Sequence, residues 1–372
     1  MKRLIWRHPP GGDATNGTGA GRLPLVTPQV MTTAPLRLRL DSAALTDNWR
    51  LLAKLSWHAA CGAAIKADGY GLGATAVATR LAGAGCRDFF VATWAEAAAL
   101  APLGLSLSVL HGLRVEDQAA AQSGIARPVL NSLSQVARWR AMGGGLCDVM
   151  VDTGMNRLGL SVDEALSGAL DGLEIDTLMS HLACADEDVA MNAAQLAAFA
   201  PLKGRVGALR FSLANSAGIA LGRDYAFDLT RPGLALYGGV PRAELAGIRQ
   251  VVMPQAQVLQ RRRVPAGATI GYNATFTAPA AMEVAIINIG YADGYWRGFS
   301  GVGAARIGDA VLPVLGRVSM DLVAINADAA PDLGEGDWVT IDYALPVADV
   351  MSGMSQYELL TGLGQRFDRV WG

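Results

Sequence analysis

The sequence predicts an α/β protein in which a (β/α)8 barrel of the TIM type is followed by a smaller all-β domain. Three observations lead to this fold class. From residue 36 onward, short apolar runs alternate with Ala- and Leu-rich helical stretches about eight times, which is typical of a barrel with parallel strands. Near residue 245 this alternation ends, and runs rich in β-branched residues follow, separated by Gly, Pro and Asp. The length of 372 residues also favours two domains.

Residues 1–34 are rich in Gly, Pro and Thr, and we expect them to form a flexible tail. A second methionine, Met31, lies just before the regular pattern begins, so a later start of the native protein is an open alternative. The basic start MKRLIWR is not followed by a long apolar stretch. We therefore expect neither a signal peptide nor a membrane span.

The barrel is predicted in residues 35–245. Helical spacing marks the connecting stretches, several of which begin with Ser or Thr at an N-cap position. The predicted strands are Cys61–Lys66, Asp88–Thr93, Ser106–His111, Arg127–Leu130, Asp148–Asp152, Thr177–His181, Leu209–Leu213 and Phe227–Thr230, and the predicted helices include Ser42–Ser56, Thr93–Ala101, Ser132–Met142, Ser161–Leu170 and Glu187–Ala200. A doubly wound open sheet is the competing fold. It would need a dinucleotide loop, and GYGLG at 69–73 has the wrong spacing for one.

The all-β domain is predicted in residues 246–372. Its strands are expected in segments such as MEVAIINIGYADGYW, AVLPVLGRVSMDLVAI and DWVTIDYAL. Active sites of (β/α)8 barrels lie at the carboxyl ends of the strands, so we look for reactive side chains there.

Charge and cysteine usage narrow the class of partner. The formal net charge of −2 gives no positive field for nucleic acid or an anionic membrane, which leaves small molecules. The four cysteines are far apart and form no Cys-x-x-Cys pair, so we expect a reducing, cytoplasmic location. His181 and Cys184 could form half of a metal site, but no further ligand spacing supports one, and we expect no metal.

One lysine stands out as a candidate nucleophile. Lysine occurs only at Lys2, Lys54, Lys66 and Lys203, and of these only Lys66 ends a predicted barrel strand, CGAAIK, before a Gly-rich turn. Partial burial there would favour the neutral amine, which can form a Schiff base. The alternative is a strand-end lysine whose side chain simply reaches water.

The segment around this lysine, AIKADGYGLGA, resembles the cofactor-lysine motif of alanine racemases, which are fold-type III pyridoxal-phosphate enzymes. Further segments resemble this family in the same order, from residue 36 almost to the end: VDTGMNRLG, SHLACAD, LANSAG, RPGLALYG, GYNATFTA, IGYADGYWR and GRVSMD. Any one of them would be a weak signal. Their shared order makes the resemblance specific.

The resemblance implies a site for pyridoxal 5'-phosphate in the barrel. Lys66 would bond to the cofactor aldehyde, and Arg231 would face the pyridine nitrogen, which a guanidinium leaves unprotonated. His181 would link this arginine to a catalytic tyrosine; a buried histidine with only a structural role is the alternative. The remaining cofactor-binding residues would be Tyr70, Asn215, Ser216, Gly233 and Leu234. For Ser216, a helix N-cap is a compatible second role.

Racemisation requires a base on each face of the substrate, and the resemblance implies Lys66 and Tyr272 in these roles. The substrate carboxylate would be held by Arg157 and the backbone N–H of Met320, with Asp321 beside it and Tyr291 near the entrance. In the family the residues of the β domain come from the partner subunit. The implied assembly is therefore a homodimer with shared sites.

Two positions depart from the family pattern. The family often has a carbamylated lysine two residues before the Asp of VDTG, where this chain has Met150. The family also frequently has a tyrosine near the cofactor phosphate, and our alignment places Gln365 there. Either another anion orients Arg157 or no anion does, and Gln365 lacks the phenol hydroxyl that makes the family's phosphate contact.

The function implied is the interconversion of L-alanine and D-alanine, and both D-alanine biosynthesis and the breakdown of D-alanine are open as its use. A racemase of the same fold acting on serine or on several amino acids is the nearest competitor. Decarboxylases of this fold would have an acidic residue where RPG offers Arg231. A single-barrel cofactor carrier would lack the β domain, and a purely structural role would leave Lys66 unexplained.

Overall fold

A computed structural model describes residues 33–372 of the chain. The predicted tail, residues 1–34, lies almost wholly outside the described residues, and so does Met31. Residues 34–372 form one compact unit.

The first half of the unit is a parallel barrel. Seven of its strands form one sheet in sequence order, and each strand pairs in parallel with the next. The barrel strands are Ala60–Cys61 continued by Ala63–Ala64, Asp88–Val91, Ser106–Val109, Arg127–Leu130, Leu146–Met150, Glu174–Met179, Ala208–Ser212 and Leu229–Thr230. Each observed strand overlaps one of the eight predicted apolar runs.

The short strand Leu229–Thr230 closes the barrel. It pairs in parallel with Ala60–Cys61 on one side. On the other side, the backbone N–H of Arg231 donates to the carbonyl oxygen of Ala214 at 2.9 Å, just beyond the preceding strand. The predicted eight-stranded barrel is therefore confirmed, and the open-sheet alternative is wrong.

The barrel strands alternate with helices that cover the outside. Their N-caps follow the predicted chemistry at Thr93, Ser132 and Ser161, each of which accepts a hydrogen bond from its own first turn. The helices are Ser42–Leu55, Ala74–Ala84, Trp94–Leu100, Gln118–Gln122, Leu133–Ala141, Val162–Leu166, Ala190–Phe199, Ser216–Ala220 and Arg223–Ala226, with 3-10 turns at Ala101–Leu103, Val115–Asp117, Ala200–Leu202, Leu234–Tyr237 and Ala243–Leu245. The stretch predicted as a helix over Ser161–Leu170 is shorter, because Gly168 adopts φ +85°.

The second half of the unit is a mainly antiparallel sheet of eight strands. In spatial order they are Met282–Ile287, Val323–Asn326, Ala310–Leu315, Ala304–Ile307, Trp338–Ile341, Val252–Val264, Leu36–Leu40 and Asp368–Trp371. The long strand Val252–Val264 also pairs with Met282–Ile287, so the sheet curls into a barrel of its own. The hairpin Thr269–Ile270 with Phe276–Thr277, the helices Leu345–Ser352 and Gln356–Thr361, and 3-10 turns at Tyr272–Ala274, Tyr291–Asp293 and Arg297–Phe299 complete the domain.

One strand departs from the predicted division of the chain. Leu36–Leu40 lies within the range predicted for the first barrel, yet it pairs antiparallel with Val252–Val264 and parallel with Asp368–Trp371. Its leucines at 36, 38 and 40 are buried. The boundaries at 35–245 and 246–372 remain predictions, with this strand joined to the second sheet.

None of the helices in residues 33–372 combines the length and the apolar character needed to cross a membrane.

Candidate active site

A cavity of about 590 Å³ opens at the carboxyl ends of the barrel strands. Nine of the thirteen residues proposed from the sequence line it, and all nine belong to the barrel half of the chain. They are Lys66, Tyr70, Arg157, His181, Asn215, Ser216, Arg231, Gly233 and Leu234. The carboxyl-end location expected for a (β/α)8 barrel is thus the place where these side chains meet.

Lys66 lies directly after the first barrel strand and at the start of an unusual turn. Ala67, Asp68 and Gly69 have φ between 52° and 62° and ψ between 44° and 50°, and Tyr70 has φ 55°. This left-handed conformation costs about 1–2 kcal/mol for each residue other than glycine, so the surrounding structure must hold it. Burial, followed by the positive charge of Arg157, lowers the pKa of Lys66. The neutral amine is therefore more accessible than for a lysine in water.

Arg231 is a buried cation at the end of the closing strand. Its guanidinium donates one hydrogen bond to the hydroxyl of Ser212 and another, of 2.5 Å, to the carbonyl oxygen of Ser180. No carboxylate within residues 33–372 forms an ion pair with it. Burial lowers its pKa to about 10, which still leaves it charged at neutral pH.

His181 lines the same cavity beside these cations. Burial, and then the charges of Arg231, Arg157 and Lys66, lower its pKa to about 3. The imidazole is therefore neutral at physiological pH, with one nitrogen able to donate and one able to accept.

Ser216 and Asn215 divide two tasks at the start of one helix. The side chain of Asn215 is the N-cap and accepts from the N–H of Gly218 at 2.8 Å. The hydroxyl of Ser216 instead accepts from the N–H groups of Gly233 and Ala235, at 2.9 and 3.2 Å. The compatible N-cap role considered for Ser216 is thus wrong, since Asn215 fills it. The O–H of Ser216 can then donate to a bound group.

Gly233 leaves room for Tyr70. A Cβ atom at position 233 would lie 2.2 Å from the hydroxyl oxygen of Tyr70, so any larger residue would displace that hydroxyl. The Tyr70 ring stacks on Tyr237, with centroids 4.6 Å apart, and the Tyr237 hydroxyl donates to the carbonyl oxygen of Ala64 at 2.8 Å. Burial raises the pKa of Tyr70, so its hydroxyl remains a neutral donor.

Tyr357 is a cavity residue that sequence reasoning missed. It lines the cavity from the helix Gln356–Thr361 of the β domain, and its ring lies 6.4 Å from that of Tyr70. Gln365, which our alignment placed at the family's tyrosine, does not line the cavity. The capping box formed by Ser355 and Glu358 is the signal that could have placed a helix, and hence Tyr357, at this position.

Arg157 lies on the loop that follows the strand Leu146–Met150. Asp152 shapes this loop by accepting from the backbone N–H groups of Gly154 and Arg157, at 2.8 and 3.0 Å. Met150 is buried and lines the same cavity as Arg157. A thioether cannot form an ion pair, and no acidic side chain within residues 33–372 pairs with Arg157.

The four remaining residues proposed from the sequence, Tyr272, Tyr291, Met320 and Asp321, lie in the β domain and do not line the cavity. Tyr272 is 70% exposed and Met320 is 53% exposed. Two backbone hydrogen bonds of 3.0 Å, from Tyr291 to Ser319 and from Ala292 to Met320, join the segments that carry Tyr291 and Met320. Within one chain these four residues therefore lie apart from the barrel cavity, with Tyr291 and Asp321 half-buried.

The cavity offers the groups that pyridoxal phosphate requires. Lys66 provides an amine, Tyr70, Ser216 and Tyr357 provide hydroxyl groups, and Arg231 provides a cation. Because position 233 is glycine, the Tyr70 hydroxyl can lie against the backbone there, and Ser216 and Gly233 line the same cavity.

Comparison with known proteins gives one consistent result. Residues 40–241 match the family of alanine racemase N-terminal domains, and residues 251–371 match that of alanine racemase C-terminal domains. The alanine racemase of Acidiphilium cryptum is 41% identical over 349 residues, which cover 90% of this chain and 98% of that protein. The catabolic alanine racemase of Agrobacterium fabrum is 44% identical and covers 89% of this chain and 91% of its own length.

A solved structure has the same fold. The crystal structure of alanine racemase from Bartonella henselae, which contains covalently bound pyridoxal phosphate, matches with a TM-score of 0.83 and 34% identity. The match covers 92% of this chain and 100% of that chain. The chain belongs to the alanine racemase family.

Proposed function

We propose that this chain interconverts L-alanine and D-alanine with pyridoxal 5'-phosphate as its cofactor. One observation carries the proposal: Lys66, whose pKa is lowered, shares a cavity with Arg231, a buried cation that has no acidic partner within the described residues. The names of the relatives support the same reaction and substrate, and they do not favour serine.

The cofactor, when bound, supplies an aldehyde that bonds to an amine and makes the neighbouring Cα–H bond more acidic. Lys66 is the residue that would hold this aldehyde and give it up to the amine of the substrate. The hydroxyls of Tyr70, Ser216 and Tyr357 would hold the phosphate by donating hydrogen bonds. Asn215, Gly233 and Leu234 would form the surrounding wall.

Arg231 would govern the protonation state at the pyridine nitrogen. Its pKa of about 10 leaves the guanidinium charged at neutral pH, so it can donate a hydrogen bond to a ring nitrogen without transferring the proton to it. Ser212 and the backbone of Ser180 fix its direction. A neutral His181 beside it adds no further charge to the site.

Two side chains would move the proton of the substrate. Lys66 Nζ would act on one face of Cα and Tyr272 Oη on the other, one of them removing the proton and the other returning one. In one direction Lys66 would accept the proton from Cα and Tyr272 would donate its hydroxyl proton. After a turnover their protonation states are exchanged, so the same pair then serves the opposite enantiomer.

The substrate carboxylate would be held by the guanidinium of Arg157 and the backbone N–H of Met320, with Asp321 beside it and Tyr291 near the entrance. Asp152 supports this role by fixing the Arg157 loop through two backbone hydrogen bonds. A guanidinium can bind a carboxylate with two parallel hydrogen bonds, which also orients the substrate.

The assembly that we propose is a homodimer in which each site combines the barrel of one chain with the β domain of the other. Two facts support it. Tyr272 and Met320 do not line the cavity of their own chain, and both are largely exposed despite their apolar surface. A twofold interface would cover them and bring them to the partner's cavity.

We also propose that the enzyme works in the cytoplasm and supplies D-alanine for biosynthesis. The four cysteines are free, as expected for a reducing compartment. Two enantiomers have equal free energies, so the same site would also consume D-alanine wherever that isomer accumulates.

The proposed reaction can be tested by incubating the purified protein with L-alanine in deuterated water. We expect D-alanine to form with deuterium at Cα. L-Serine, supplied under identical conditions, is expected to react far more slowly. A protein that carries the cofactor but converts neither enantiomer of alanine would overturn the substrate assignment.

A further inference from the structure

In the left-handed turn after Lys66, the first backbone N–H, that of Ala67, has no hydrogen-bond acceptor within the turn. Inside and around the turn, the N–H of Gly69 donates to Ile65 and the N–H of Gly71 donates to Ala67, both at 2.9 Å. The N–H of Ala67 instead leaves the turn and donates to Oε1 of Glu96, at 2.8 Å. Glu96 lies in the helix Trp94–Leu100, which follows the barrel strand Asp88–Val91, so this hydrogen bond joins the turn to a separate element.

Glu96 is itself held firmly in place. Its second oxygen, Oε2, accepts from the backbone N–H groups of Ala92 and Thr93, at 2.6 and 3.2 Å. The hydroxyl of Thr93 accepts from the N–H of Glu96 at 3.2 Å, which completes a capping box. These hydrogen bonds fix the carboxylate at the start of its own helix, and its other oxygen contacts the Lys66 turn.

Another capping box in the barrel shows what Glu96 does beyond capping. In the helix Val162–Leu166, Oε2 of Glu164 accepts from the N–H of Ser161 at 2.8 Å, and Ser161 accepts from the N–H of Glu164 at 3.1 Å. Both glutamates are half-buried. Glu164 accepts a hydrogen bond only at the start of its own helix. Glu96 accepts hydrogen bonds at the start of its own helix and one more from the Lys66 turn.

We propose that Glu96 is a positioning residue for Lys66: it holds the left-handed turn and thereby aims the lysine side chain into the cavity. The proposal rests on the proposed cofactor-binding role of Lys66. A carboxylate is required because both of its oxygens accept hydrogen bonds. An amide has one acceptor oxygen, and its NH2 group would face a backbone N–H.

Hydrogen exchange of the cofactor-loaded enzyme, followed by mass spectrometry, tests the proposal in Glu96→Gln. We expect the amides of residues 66–72 to exchange about tenfold faster, since a charge-assisted hydrogen bond is lost. Pyridoxal phosphate should also dissociate about tenfold faster on dilution, as measured by absorbance. Glu164→Gln is the matched control and should change neither quantity. If Glu96→Gln is too unstable to purify, Glu96→Asp replaces it with the same expectation, because its side chain is one methylene shorter.

Thr93→Ala separates capping from positioning. This change removes the hydroxyl from the same capping box and leaves the Glu96 carboxylate in place. We expect a lower melting temperature with unchanged exchange in residues 66–72. Equal loosening of the turn in Thr93→Ala and Glu96→Gln, or no loosening in either, would overturn the proposal. A wild-type enzyme that fails to racemise alanine would count against the proposed function, and the exchange result would still decide the role of Glu96.

Discussion

Arg366 donates two hydrogen bonds, of 2.7 and 2.8 Å, to the two carboxylate oxygens of the fully buried Asp293. Its remaining terminal nitrogen donates to Asp321 at 2.7 Å. Asp293 ends the 3-10 turn that carries Tyr291, and Asp321 follows Met320. One guanidinium therefore joins the two β-domain segments that we propose for the substrate site.

Replacing this arginine should weaken substrate binding more than cofactor binding. In Arg366→Gln we expect KM for alanine to rise about tenfold or more, because a buried carboxylate loses its partner and the Met320 segment loosens. Steady-state kinetics and a cofactor titration measure the two effects. Arg306→Gln is the control, since it breaks a comparable 2.7 Å pair with Asp342 on the exposed part of the same domain. An unchanged KM in Arg366→Gln would contradict the prediction.

Lys66 should be the residue that bonds to pyridoxal phosphate. Among the described lysines, Lys54 is exposed and Lys203 is paired with Asp228 at 2.9 Å, so neither lies in the cavity. Reduction with borohydride followed by peptide mapping is expected to find the pyridoxyl group on Lys66. A Lys203→Gln variant should retain the label, whereas Lys66→Met should lose it. A label on Lys54 or Lys203 in the wild type would overturn the site assignment.

His181 should make the protein less stable in acid. Its pKa is about 3 in the folded protein and about 6.5 in an unfolded chain, so the unfolded state binds more protons between these values. The stability contributed by neutral His181 is complete above pH 6.5 and is lost as the pH falls toward 3.

Thermal unfolding as a function of pH measures this contribution. His181→Asn is expected to have a shallower loss of stability across the same pH range, by up to about 1.4 kcal/mol per pH unit. His58→Asn, at an exposed histidine, serves as the comparison. Identical pH profiles for wild type and His181→Asn would contradict the prediction.

Met150 should make the enzyme indifferent to bicarbonate. No lysine is present at this position to form a carbamate, and Met150 lines the cavity with Arg157. Racemisation rates with and without added bicarbonate are expected to agree. Met150→Lys supplies the missing lysine and is the comparison variant. A rise in wild-type activity on adding bicarbonate, or a carbamate detected on a lysine of the site, would count against this account.

Periodicity and motifs predicted much of this structure. The alternation of apolar runs located all eight barrel strands, because each strand and its helix are encoded locally. The scarcity of lysine indicated Lys66, and the family resemblance indicated Ser216 and Arg231. All three line the same cavity.

The features that were missed depend on distant or unusual contacts. Leu36–Leu40 alternates like any half-buried strand, and its own residues do not reveal that its partner is Val252–Val264. The left-handed turn contains a single glycine, Gly69, so its sequence gave little indication of positive φ at Ala67 and Tyr70.

The shared site is the central claim, and mixed dimers test it most directly. Lys66→Ala and Tyr272→Phe chains, each inactive alone, are allowed to exchange subunits. If Tyr272 acts in the partner's cavity, a mixed dimer has one site with both changes and one site with neither. Random pairing should then restore about a quarter of all sites. Activity that stays at the level of the single variants, with exchange confirmed independently, would contradict the claim and place Lys66 and Tyr272 of one chain in the same site.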